Sequence, residues 1–354
     1  MTMNKVASII FTAAILLGCA KAVTEGNNES EKLFLDAWTH LNLPGITPEW
    51  NGESDEYGIY VINEKDGDGA VVEKDGYAIV TYTVTDLEGN ISSYTGKETA
   101  EQLGTYSETS YYGPQVWLTT DETIQAGLQN ALLGMKVGGE KKVLIPSWMM
   151  TYSSYDSSKQ YYESQSDYSN AIYDFRIEDY TKDINEWQIS RMKECMDSEW
   201  GGWESFNQNV RQDTTGFFFK SLVAKDGQET DFAADTTIYI NYTGRLLNGL
   251  VFDTTIERTA KDHGLYKAGN TYEPVKINWG ESHGEITMGS SSSSVVSGFS
   301  LTLWNMKNLG EGDKMDKAVG IFYSPLGYGY SGSGSGIPGY APLIFEIEIV
   351  AKPE

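Results

Sequence analysis

Residues 323–350 read YSPLGYGYSGSGSGIPGYAPLIFEIEIV, joining an aromatic turn, a glycine/serine loop and a closing strand in one run. After Pro342, the residues Leu343, Phe345, Ile347 and Ile349 alternate with Ile344, Glu346 and Glu348. That is the period of a strand with one buried face. Tyr328 and Ile337 frame the loop before it, and no charged residue stands between Tyr323 and Phe345. Two readings of the loop are open: a lid over a small dry pocket, or a flexible surface loop.

A chain of 354 residues, 40% hydrophobic and 12% aromatic, has enough apolar material for about two packed domains. Asp and Glu number 50 against 26 Lys and Arg, a formal charge of -24. Such a field repels a phosphate backbone, so nucleic acid is excluded as an expected partner. Three histidines (His40, His263, His283) and two cysteines (Cys19, Cys195) match none of the usual metal-ligand spacings, and neither a metal nor another cofactor is expected.

Residues 1–18 differ from the rest: Lys5 supplies a positive start, and a short apolar run from Val6 ends in Leu16-Leu17-Gly18-Cys19. This is the pattern of a secretion signal, too short for a permanent membrane span. The ending resembles the bacterial lipobox, in which the cysteine is lipidated and becomes the new N-terminus. Removing residues 1–18 takes away one lysine and no acid, so the formal charge passes from -24 to -25. The expectation is an acidic lipoprotein anchored through Cys19 in the cell envelope, on the outer membrane and with its face undefined. Cys195 then has no intramolecular partner, and its spacing with Ile184, Met192 and Met196 marks it as a small hydrophobe on a helix.

Residues 20–30 are polar and read as a tether; Leu33, Phe34, Ala37, Trp38 and Leu41 then repeat as an amphipathic helix. Past Pro44 the chain reads as strands with glycine turns, including YAIVTYTVT over residues 77–85. A second helix begins where Asp183 and Glu186 form a capping box and runs through Trp187, Ile189, Met192 and Met196 to Gly201-Gly202. The stretch after this second helix repeats the stretch after the first, with a period of about 160 residues. Thr81-Tyr82-Thr83 matches Asn241-Tyr242-Thr243, Leu87-Glu88-Gly89 matches Leu247-Asn248-Gly249, and Gly127 and Gly298 each stand eight residues before Met-Lys. The predicted fold class is α+β: two tandem domains, each a curved antiparallel sheet wrapping one short helix (126–135 or 298–306) and each preceded by a linker helix. In the second short helix Phe299, Leu303 and Met306 share one face. The expected parse is a signal peptide (1–18), tether and helix (19–50), first domain (51–180), linker helix (181–214) and second domain (215–354).

The second domain carries Tyr242-Thr243-Gly244, Phe252-Asp253-Thr254-Thr255, Val295-Val296-Ser297-Gly298-Phe299, then Tyr328-Gly329, Ile337-Pro338 and Leu343-Ile344-Phe345. These residues resemble the FKBP-type peptidyl-prolyl cis-trans isomerases, whose pattern is a Tyr-Thr-Gly turn, Phe-Asp with two small hydroxyl residues, Val-[Ile/Val]-x-Gly-aromatic, Tyr-Gly, a flap with Ile-Pro and a final Leu-x-Phe strand. The resemblance covers roughly residues 215–354. It implies a proline pocket lined by Tyr242, Phe252, Val275, Val295, Val296, Phe299, Ile337 and Phe345, with Phe299 as floor and the Val296 amide holding the substrate backbone. It implies further that Tyr328 donates its hydroxyl to the substrate carbonyl and that Asp253 shapes the field at the rim. The implied partners are proline-containing unfolded or exported polypeptides. No acid, base or metal is needed, because the reaction twists an amide over a barrier of roughly 18–20 kcal/mol without breaking a covalent bond.

The pattern is not matched everywhere. Phe299 stands where the best-known members carry Trp, Val275 where a second aromatic is common, and Ser333 where the flap sometimes has His. Residues 256–271 and 281–294 lengthen the loops beside the pocket, and Ser290–Ser294 read as a flexible linker. In the first domain Tyr82 is kept, but Ile91-Ser92 stands in the place of Phe-Asp and Leu128 in the place of the floor, so the fold is expected there without the reaction. The tyrosine-rich runs 106–112 and 152–162 are either solvated loops or surfaces for unfolded chains or a partner. Asp66-Gly67-Asp68-Gly69 has the look of a calcium loop, but Val71 occupies the position that requires glycine, so it is read as a turn. A non-catalytic peptide-binding or chaperone module, and a glycan-binding lipoprotein using nine Trp and 23 Tyr, are the other functional readings. If Cys19 is the anchor, Cys19→Ser should move the protein from the membrane fraction to the soluble fraction and abolish fatty-acid labelling.

Overall fold

The computed structural model describes residues 29–54, 58–121, 123–151, 158–162, 168–208, 210–223, 227, 229–309 and 315–353. Residues 1–18, expected to be a signal peptide, Cys19 and part of the 152–162 run lie outside the described residues. Among those described, no helix is long and apolar enough to cross a membrane, and no group of His, Cys, Asp or Glu could hold a metal ion.

The chain forms two successive units of the same design. In the first, helix α1 (Glu29–Asn42) precedes β1 (Tyr60–Lys65), β2 (Tyr77–Thr85), β3 (Ile91–Tyr94), α2 (Lys97–Leu103), β4 (Gln115–Leu118), α3 (Ala126–Leu132), β5 (Glu140–Ile145) and β6 (Ala171–Thr181). In the second, α4 (Ile184–Trp200) precedes β7 (Phe217–Ser221), β8 (Thr237–Leu246), β9 (Val251–Thr254), α5 (Glu257–Asp262), β10 (Val275–Asn278), α6 (Ser297–Asn305), β11 (Lys317–Phe322) and β12 (Leu343–Val350). The sheet orders correspond: β1-β5-β6-β2 with β3 and β4 on β2, and β7-β11-β12-β8 with β9 and β10 on β8. Every pairing is antiparallel.

The 160-residue period extends to single hydrogen bonds. Tyr82 N–H donates to the Thr95 hydroxyl at 2.9 Å, as Tyr242 N–H does to Thr255 at 2.9 Å. The Tyr106 and Tyr112 rings stack at 5.6 Å, as Tyr266 and Tyr272 do at 5.5 Å.

Each sheet lies between two helices. On its concave side the second sheet packs around α6, which is buried at Phe299, Leu301, Leu303 and the adjoining Met306. The burial includes Ser300, Thr302 and Asn305, so the helix is enclosed on all sides rather than along one stripe. On the convex side α4 sets Met192 and Met196 against Val319, Ile321 and Ile344. Ile344 is therefore buried although it alternates with the inward residues of β12. The linker helix caps its sheet, and Ser324 N–H donating to Gln188 Oε1 at 2.7 Å fastens it. The side chain of Asp183 accepts from the amides of Asn185 and Glu186, and the helix ends at Gly201 with φ 73°.

Helix α1 caps the first sheet in the same way, with Leu35 and Leu43 against Leu144 and Ile172. The expected stripe is wrong here: Leu33 and Leu41 are 67% and 77% exposed, and Phe34 faces outward as well. Of two overlapping apolar stripes, the one chosen lets the Trp38 indole N–H donate to the Leu87 carbonyl at 2.9 Å. Ser290–Ser294 likewise are no loose linker. They form the turn and return strand of a hairpin in which Thr287 and Met288 pair with Ser294 and Ser293. Met192→Ala should lower the free energy of unfolding by about 2–5 kcal/mol, seen as a lower denaturant midpoint, because it opens a cavity under the capping helix.

Candidate active site

Strand β8 alternates, so Ile238, Ile240, Tyr242 and Leu246 point into the concave side. Its register with β12 pairs Tyr242 with Ile347 and Gly244 with Phe345. Tyr242-Thr243-Gly244 is thus strand interior and not a turn; a register shift toward β9 comes next, at Gly244/Arg245. The glycine has a steric purpose: a Cβ on Gly244 would lie 2.7 Å from the Phe252 ring and 2.8 Å from Phe345. Without it, Phe252 meets Phe345 edge-on at 5.6 Å. Phe345 also meets Phe299 at 5.0 Å and Tyr242 at 6.0 Å, and Tyr242 meets Phe299 at 5.4 Å. Four aromatic rings from β8, β9, α6 and β12 thereby converge, in edge-to-face or tilted pairs that ring quadrupoles favour.

The polar part of the site sits at its edge. The Tyr242 hydroxyl donates to Asp253 Oδ2 at 2.7 Å. Burial first, and then the neighbouring Asp253 charge and this bond, hold the Tyr242 phenol far above its ordinary pKa. Burial and Asp253 push the Tyr328 phenol upward too. Both stay protonated donors throughout the physiological range. Tyr328 is 39% exposed on the flap, while Ile337 is buried against the aromatic group. The flap is a tight loop in which Ser333 and Ile337 bond each other's backbones, closed through Gly332 at φ 65°, where an added Cβ would strike the Ile337 carbonyl at 2.2 Å.

Of the ten residues singled out in the second domain, Tyr328 stands apart on the flap and the other nine fall into two groups. Tyr242, Phe252, Asp253 and Val275 line an open cleft of about 710 Å³. Phe299, Ile337 and Phe345 are buried in the core cluster, with Val295 and Val296 half-buried against it. Val296 immediately precedes α6, where its carbonyl accepts the amides of Phe299 and Ser300. Val275 pairs with Ile240 on the neighbouring strand. Part of the remaining cleft wall, with Leu265, Thr271 and Met288, comes from the two lengthened segments. Their length was visible in the sequence, but not which of their residues turn inward.

The first domain shows what removes such a site. The ladder of β2 with β3 pairs Thr85 with Ile91, as Arg245 pairs with Val251, so Ser92-Ser93 and not Ile91-Ser92 stand opposite Phe252-Asp253. The one-residue correction comes from the register shift, which the sequence spacing does not reveal. Val84 takes the place of Gly244, and Trp117 stands 5.1 Å from Tyr82 and 5.9 Å from Phe175, lining with Val84, Ser92, Ser93 and Leu128 a smaller cavity of about 350 Å³. In the 152–162 run Tyr161 is fully buried and donates its hydroxyl to the Tyr168 carbonyl at 3.1 Å.

This geometry sets two expected outcomes. Gly244→Val should push Phe252 off Phe345 and abolish ligand-induced quenching of the site while leaving the far-UV spectrum intact. Because a tyrosine whose folded pKa is raised binds its proton more tightly in the native state, the Tyr242 contribution to stability should be fully present below about pH 10 and be lost as pH rises above it. Tyr242→Phe should flatten that fall in a pH series of urea denaturations.

Residues 228–350 match the model of the family "FKBP-type peptidyl-prolyl cis-trans isomerase". A probable FKBP-type peptidyl-prolyl cis-trans isomerase of Haemophilus influenzae is 25% identical over 143 residues, covering 40% of this chain and 45% of that protein. The chain thus spans less than half the length of this curated relative. Among solved structures, the three FKBP domains of wheat FKBP73 are similar at 14% identity and TM-score 0.26, covering 83% of this chain and 94% of that one. FkpA from Escherichia coli is similar at 22% identity and TM-score 0.29, covering 47% and 58%. Over residues 228–350 the chain is thus similar to the FKBP-type peptidyl-prolyl cis-trans isomerase family.

Proposed function

We propose that the C-terminal domain catalyses cis-trans isomerisation of X-Pro bonds in unfolded or exported polypeptides. The observation that carries this reading is the convergence of Tyr242, Phe252, Phe299 and Phe345 beside two protonated phenols and one carboxylate. A planar amide is more dipolar than a twisted one, so a dry aromatic wall disfavours the ground state more than the transition state. A thousandfold acceleration needs about 4 kcal/mol, within the reach of desolvation and one or two hydrogen bonds. Phe252 and Tyr242 take the proline ring, Tyr328 donates to the substrate carbonyl, and Asp253 orients Tyr242 and sets the field at the rim. Ile337 and Phe345 support the wall, and the Val296 amide holds the substrate backbone.

The first domain acts in this reading without catalysis, since Val84, Ser92 and Leu128 stand where the second domain has Gly244, Phe252 and Phe299. The whole protein is an envelope lipoprotein held through Cys19, which places the isomerase where exported chains fold. The test is an X-Pro peptide isomerisation assay on the full chain. Phe252→Ala should lower kcat/KM about tenfold or more, a loss of roughly 1.4 kcal/mol or more of transition-state stabilisation. Tyr328→Phe should lower kcat with KM little changed. A wild-type chain that gives only the uncatalysed rate refutes the proposal, and peptide binding without rate enhancement would leave the chaperone reading in its place.

A further inference from the structure

The cleft of the C-terminal domain is walled in part by the N-terminal domain. Thr109, on the loop between α2 and β4, lines the same opening as Tyr242, Phe252 and Asp253. The loop spans the cleft from rim to rim. At one end Glu108 lies against Gly264, just past α5, where an added Cβ would come 3.1 Å from the Glu108 Cβ. At the other, Tyr111 N–H donates to the Ser335 carbonyl of the flap at 2.8 Å, and the Ser110 hydroxyl bonds the Ser335 hydroxyl at 3.2 Å. Between them, a Cβ on Gly336 would meet the Thr109 carbonyl at 2.9 Å and Phe252 Cβ at 3.9 Å. Tyr111 packs on the core of the C-terminal domain and bonds the Pro114 carbonyl at 3.1 Å, and Tyr77 meets Tyr340 edge-on at 5.6 Å. The tyrosine-rich run 106–112 is therefore neither a solvated loop nor a free surface.

We propose that Thr109 is a specificity-determining residue for the isomerase reaction, contributed by the N-terminal domain, and that Ser110 and Tyr111 hold it there by fastening the loop to the flap. This rests on the isomerase reading above. A proline seated against Phe252 and Tyr242 must send a flanking residue of its chain along the cleft past Thr109. The bulk at that position then decides which flanking side chains fit. The counterpart of this loop in the C-terminal domain, 265–274, lines the cleft too, so one repeated element supplies both walls.

The experiment uses the full chain and two short substrates, one with Ala and one with Phe preceding proline. The ratio of their kcat/KM values is measured for wild type, Thr109→Gly, Thr109→Trp and Thr109→Val. Thr109→Trp should lower the Phe/Ala ratio at least fivefold and Thr109→Gly should raise it, with the Ala-Pro rate within twofold of wild type. Thr109→Val keeps the shape but loses the bond to the Ser107 hydroxyl, and should retain the wild-type ratio. Unchanged ratios in all variants, with an active wild type, overturn the proposal and leave the isomerase reading standing. A uniform rise for both substrates in Thr109→Gly also overturns it, since the loop would then be a plug and not a selector. An inactive wild type overturns both. Unaltered circular dichroism and melting temperature in each variant separate these results from misfolding.

Discussion

The ladder between β8 and β12 is the contact on which the rest of the C-terminal domain depends. Running in unbroken register from Tyr239–Val350 to Leu246–Leu343, it places Phe345 opposite Gly244 and buries both strands' inner residues on α6. A slip of one residue would turn Phe345, Ile347 and Ile349 outward, so the hydrophobic alternation and the aromatic site are enforced together. The absence of a side chain at Gly244 then lets Phe252 cross to Phe345. Fold and site are coupled at that pair of residues.

The two units separate what this architecture requires from what its chemistry requires. Both keep the six-strand order, the helix in the hollow of the sheet, the capping helix on the outside and the threonine that clasps the central tyrosine. The first unit puts Val84 in the place of Gly244 and Trp117 in the space between Tyr82 and Phe175. The hollow of the first unit stays open but is smaller, about 350 Å³ against about 710 Å³ for the cleft of the second, and its lining lacks the Phe252 and Asp253 side chains.

The capping helices explain why the units are longer than their sheets need. Each covers the convex face at equivalent positions, Leu144 and Ile172 in one unit and Ile321 and Ile344 in the other. The helix between the units therefore belongs structurally to the domain after it, and it holds its sheet through Met192, Met196 and Gln188. With that helix fixed, the Tyr106–Tyr112 loop of the first unit comes to lie on the flap of the second.

The sequence alone determined the two-unit α+β design, the strand that closes each sheet and the caps of α4. All of these are written in local periodicity, in capping chemistry or in a spacing repeated along the chain. Only the tertiary structure decided which of two stripes α1 buries, that Ile344 is covered, that Ser92-Ser93 and not Ile91-Ser92 face the first hollow, and that Trp117 lines it. Those outcomes depend on strand register and on which neighbour arrives, neither of which a linear pattern encodes. The same holds for Thr109: nothing in the run around it signals a partner some 225 residues away, and it lies against the flap and lines the cleft of Phe252 because two folded domains meet there.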